Sequence, residues 1–100
     1  MPASNTARVV IENVNHPGKT ETVDKAKYDA MKAAILKVTP KKPPGLTVAE
    51  IQDAVLQHLP DDLYPGGEKS GWWMKAVQLD LEAKKIIARA KGAPVRLHKL

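Results

Sequence analysis

Cysteine is absent from the chain, which removes disulfide frameworks, thiolate zinc sites and cysteine nucleophiles together. Phenylalanine is absent too, and with only two Trp and two Tyr the core has to be built mainly from Val, Ile, Leu, Met and Ala. No apolar run approaches the roughly 20 residues of a membrane-spanning helix. Residues 1–15 carry no secretory h-region, so the expectation is a cytoplasmic protein without a membrane partner. His16, His58 and His98 fall on separate segments with no ligand spacing, so no metal and no cofactor is expected. Catalytic signatures are missing as well. Gly66-Gly67-Glu68-Lys69-Ser70 lacks the contiguous Gly-Lys-Ser and the preceding strand of a phosphate loop. Asp61 and Asp62 sit side by side in a turn after Pro60, and Ser70 has neither nucleophile-elbow glycines nor an evident His base. The chain reads as a non-enzyme.

What is present fits a single soluble domain: 100 residues, 43% hydrophobic and 27% charged. The charge is uneven. Residues 1–68 hold eight Lys/Arg and nine Asp/Glu, whereas residues 69–100 hold eight Lys/Arg against only Asp80 and Glu82. A net +6 on the C-terminal third suits a surface that meets polyanions, and equally a solubility excess with no partner.

Along the chain, residues 1–7 read as a frayed, disordered terminus. Arg8 to Val14 is β-branched, Asn15-His16-Pro17-Gly18 is turn chemistry, and Lys19 to Val23 is a short return strand, giving an N-terminal hairpin over 8–23. Asp24 is placed to cap a helix running to Val38, with Tyr28, Met31, Ala34, Ile35 and Val38 on one stripe. Thr39 to Gly45 stops it. Thr47-Val48-Ala49-Glu50 is a capping box opening a second helix with Val48, Ile51, Val55 and Leu59 on one face. After the polar loop Asp61 to Gly71, Ser70 is the expected N-cap of a third helix reaching about Lys85. Ile86–Lys91 and Val95–Leu100 flank Gly92-Ala93-Pro94, as two strands around a turn. The expected core is Tyr28, Met31, Ile35, Ile51, Val55, Leu59, Val77 and Leu81.

Strand, helix, turn, helix, helix, β-hairpin is the order of a winged helix-turn-helix domain, and residues 24–100 resemble that family. The segment Leu79-Asp80-Leu81-Glu82-Ala83-Lys84-Lys85-Ile86-Ile87-Ala88-Arg89 looks like its junction between recognition helix and wing. The capping-box helix Thr47 to Leu59 resembles its second helix. Lys85 stands where many winged helices have Gly, and the loop from Pro60 to Gly71 is longer than in most DNA-binding examples. The chain is similar to small uncharacterised bacterial winged-helix proteins. The resemblance implies an α+β fold of three helices plus a C-terminal β-hairpin wing, with the N-terminal hairpin as an elaboration. It also implies double-stranded DNA as partner, read by the third helix and the wing.

The residues available for that task divide into three groups. Lys69, the Ser70 hydroxyl and the free amides of Ser70 to Trp73 would form an anion site at a helix start. Trp73, Met74, Val77 and Leu81 make one apolar stripe of the third helix, and Trp72, Ala76, Leu79 and Ala83 a second, with Lys75, Gln78 and Glu82 between them. Either both stripes are buried, or Trp72 is free to stack on a base or a partner. Arg89, Lys91 and Arg96 would place the wing on phosphates, or serve only to protect an edge hairpin. Gln78 carries an amide suited to a base edge. A different class of reading makes the domain a protein-interaction or homodimerisation module using Trp72 or a free strand edge.

Overall fold

A computed structural model describes residues 7–100. Most of the expected frayed terminus lies outside them, but Ala7 does not: its carbonyl accepts the Lys25 amide at 3.0 Å. The fold is α+β, with three α-helices and two small antiparallel sheets among the described residues. Among the described residues, no helix is long and apolar enough to cross a membrane.

Strands β1 (Arg8–Glu12) and β2 (Thr20–Asp24) form the N-terminal hairpin in the register Val9↔Val23 and Ile11↔Glu21. Ile11 and Val23 turn inward and join the core. Asp24 ends β2 and caps α1 (Lys25–Val38), its carboxylate accepting the Lys27 amide at 3.2 Å. That side-chain acceptor satisfies one of the orphan donors of the first turn.

A two-residue strand that periodicity does not announce, β3 (Leu46–Thr47), follows the turn. Gly45 makes it possible. At φ +88°, a Cβ there would sit 1.8 Å from the Leu97 carbonyl oxygen, so only glycine lets the chain lie against β5. Thr47 then forms the expected capping box with Glu50 and opens α2 (Val48–Val55). The helix is shorter than its apolar face suggested, because the chain tightens into a 3₁₀ turn at Leu56–His58 and ends at Pro60. Leu59 is half-buried at its edge, while the other seven expected core residues are buried.

The loop before α3 (Ser70–Ala83) is anchored by Tyr64, which is buried and donates its hydroxyl to the Lys27 carbonyl at 2.8 Å. At the far end of α3 the Ile86 amide bonds to Leu81 and the Lys85 amide to Glu82, a Schellman closure with Lys85 left-handed at φ 61°. Strands β4 (Ile87–Arg89) and β5 (Arg96–Lys99) follow, one or two residues shorter at each end than the sequence pattern suggests. The second sheet runs β3-β5-β4. Its inner face carries Ile87 and Leu97 into the core shared by all three helices.

Candidate functional site

Helix α3 is the most enclosed element, and its surroundings decide which of its side chains can act. From Val77 to Glu82 every residue is buried. On one side lies the N-terminal hairpin: the Glu12 amide donates to Asp80 Oδ1 at 2.8 Å and the Val14 amide to the Leu79 carbonyl at 3.4 Å. Asp80 is fully buried yet hydrogen-bonded at both oxygens. Besides Glu12 it accepts Tyr28 Oη at 2.5 Å and Lys84 Nζ at 2.6 Å. Charge-assisted bonds of this kind compensate the desolvation of a carboxylate.

On another side the wing is tied to the helix. Glu82 accepts Arg89 Nε at 2.5 Å and Arg89 Nη2 at 3.3 Å, and Gln78 Nε2 donates to the same carboxylate at 2.8 Å. The hydrogen bond to Glu82 raises the Arg89 pKa above its ordinary value. Two expectations are corrected here. Gln78 is buried with its amide committed, so it does not present a free base-reading edge. Arg89 is paired with the buried Glu82 carboxylate while its own side chain stays 38% exposed, so it is not an unpaired cation of the wing.

The start of α3 also differs from expectation. Lys69, left-handed at φ 61°, occupies the N-cap position without a side-chain cap bond. Ser70 lies inside the first turn, buried, its hydroxyl accepting Gln52 Nε2 at 3.2 Å. The Trp73 amide already bonds to the Lys69 carbonyl at 3.1 Å. The Trp73 amide and the acceptor side of the Ser70 hydroxyl are thus engaged within the protein.

What faces solvent is a different subset. Lys69, Lys75 and Lys91 are exposed, and Arg96 is half-buried with Nη1 3.8 Å from Glu50 Oε1. Trp73 is buried against Tyr64 with rings edge-on at 6.3 Å, while Trp72 stands edge-on to Trp73 and remains 51% exposed. The stripe that stays open is thus the one starting at Trp72, and only at its first residue.

Between α2, α3 and the β4–β5 hairpin runs a groove of about 750 Å³, lined by Val48, Ala49, Gln52, Met74, Lys75, Gln78, Arg89 and Val95 among others. Three expected site residues, Lys75, Gln78 and Arg89, meet there. Lys69, Trp72, Lys91 and Arg96 do not line it. Gln52 was not singled out from sequence, and Val48 and Ala49 were read only as part of the capping box and the apolar face of α2, although the box that fixes the start of the helix also sets the positions of its first turns. Among the described residues no three His, Asp or Glu side chains converge as a metal site.

Residues 8–97 match the family of unknown function DUF6958. The chain belongs to this family. No curated protein and no solved structure matches it. The DUF6958 match starts at the first residue of β1 and extends into β5, so it takes in the N-terminal hairpin and both sides of the groove.

Proposed function

We propose that residues 24–100 act as a winged helix that binds double-stranded DNA through the phosphate backbone, with Lys69, Lys75, Lys91 and Arg96 as contacts and Trp72 beside them. One observation carries this reading. The two acids of the basic third are buried and internally paired, Asp80 with Lys84 and Glu82 with Arg89, so the charges that residues 69–100 turn outward are cations. Outward-facing cations attract a polyanion and release its condensed counterions.

Ser70 and Gln78 leave the contact set because both are buried with their polar groups bonded inside the protein, and Arg89 leaves it because Glu82 balances its charge. Binding then positions without reading bases, since phosphate contacts carry no sequence information by themselves. Four cations give a log–log salt slope of about −3 to −4 for duplex DNA. Lys75→Ala with Lys91→Ala flattens that slope by about two and weakens binding equally for unrelated sequences. Fluorescence anisotropy of labelled duplexes at several salt concentrations measures both. Absence of duplex binding at low salt overturns the reading.

The exposure of Trp72 favours a second reading, docking of a protein partner or a second copy of the chain. Under it, Trp72→Ala abolishes self-association in a sizing experiment, and duplex binding is negligible at every salt concentration.

A further inference from the structure

The groove between α2, α3 and the wing has a chemistry of its own. Its volume of about 750 Å³ lies within the range of small-molecule sites, roughly 300–1,000 Å³. The floor is apolar, formed by Val48, Met74, Leu79 and Val95. Among the described residues its charged lining residues are Lys75 and Arg89, with no carboxylate. Lys75 is exposed and takes part in none of the ion pairs among the described residues. Arg89 brings donors more than net charge. Glu82 balances it through Nε and Nη2, which leaves the Nη1 side of the guanidinium without a partner among the described residues, on a side chain that is 38% exposed.

We infer that this groove binds a small amphipathic carboxylate, its apolar body on Val48, Met74, Leu79 and Val95 and its carboxylate between Lys75 Nζ and the unpaired edge of Arg89. An apolar wall beside one unpaired cation favours a monoanion with a hydrocarbon tail over a neutral compound of the same shape, because the ammonium gains a partner while apolar surface leaves water. The bound molecule lies between α3 and the wing, the two elements that Glu82 and Arg89 already hold together.

Octanoate and octan-1-ol probe this directly, since they share a tail and differ in charge. Titrated into the isotopically labelled protein, octanoate shifts the amide resonances of Val48, Ala49, Lys75, Arg89 and Val95 in a saturable way. Octan-1-ol binds at least about tenfold more weakly, and added salt weakens octanoate alone. Lys75→Met, which keeps the stem and removes the charge, brings octanoate down to the level of the alcohol. Ala49→Leu, on the exposed first turn of α2, fills the groove and abolishes saturation while the rest of the spectrum stays folded. Lys91→Ala, off the groove, leaves octanoate binding unchanged whatever it does to DNA, so the site is judged separately from the duplex reading. Equal binding of acid and alcohol, shifts centred elsewhere, or no saturation overturns the assignment.

Discussion

Lys85 is a residue in a backbone conformation that its side chain disfavours. A left-handed residue with a Cβ costs on the order of 1–2 kcal/mol, which is why Gly dominates at the position that closes a Schellman motif. Here both hydrogen bonds of the motif form around Lys85 at φ 61°, so the fold tolerates the strain in order to turn α3 into β4. Lys85 is exposed and belongs to no ion pair among the described residues, so replacing it removes no stabilising contact of that kind. Lys85→Gly is expected to stabilise the protein by about 1 kcal/mol, after the greater freedom of Gly in the unfolded chain has offset part of the gain. For a domain of this size that is a rise in melting temperature of about 4–8 °C, read by circular dichroism. A lower melting temperature would show that the Lys85 stem packs more tightly than its exposure indicates.

Among the elements, the wing depends most on a single side-chain link. Glu82 has a side chain 5% exposed, and its charge is balanced by Arg89 from β4. Arg89→Ala strands that carboxylate, with Gln78 as its remaining partner, and a buried charge left unpaired is strongly destabilising. Because Arg89 is itself partly exposed, the expected loss is about 2 kcal/mol rather than the full penalty of a wholly buried pair. Thermal unfolding measures it, and Arg89→Ala with Glu82→Gln should recover most of the loss. If the double variant is no more stable than the single one, the pair does not hold the wing. The same pair marks the limit of what the sequence reveals. Helices α1 and α2 begin where Asp24 and Thr47 announce them, because a cap is local chemistry written in adjacent residues. Nothing in the residues adjacent to Asp80 and Glu82 announces that the hairpin and the wing close over them, from 68 and seven residues away. Gln78 and Arg89 looked like free contacts for that reason. The strand β3 was illegible for another: two residues show no alternation, and what fixes them is the approach of Gly45 to Leu97, a contact distant in the chain.

At the scale of the whole molecule, two tyrosines join elements that are far apart in sequence, and both set an alkaline limit. Tyr28 on α1 donates to Asp80 on α3, and Asp80 also receives Glu12 from the hairpin, so one carboxylate links three elements. Tyr64 fastens the long loop to α1 through the Lys27 carbonyl. Burial pushes both phenols well above their ordinary pKa. For Tyr28 the hydrogen bond to Asp80 adds to this, and for Tyr64 the negative charge of Asp24 does. The folded state therefore holds these protons more tightly than the unfolded chain, whose tyrosines titrate near pH ~10. Below that pH both states are protonated and the stabilisation is complete. Above it the unfolded chain releases two protons that the folded protein keeps, and stability falls by up to about 2.7 kcal/mol per pH unit. The expected result is a melting temperature that drops steeply above pH ~10, with phenolate absorbance emerging together with the loss of helical circular dichroism. Tyr64→Phe should roughly halve the steepness of that drop, because one of the two retained protons is gone. Phenolate absorbance that develops for both tyrosines near pH ~10 while the helices remain intact would show that the Tyr28–Asp80 and Tyr64–Lys27 links do not govern how the molecule comes apart.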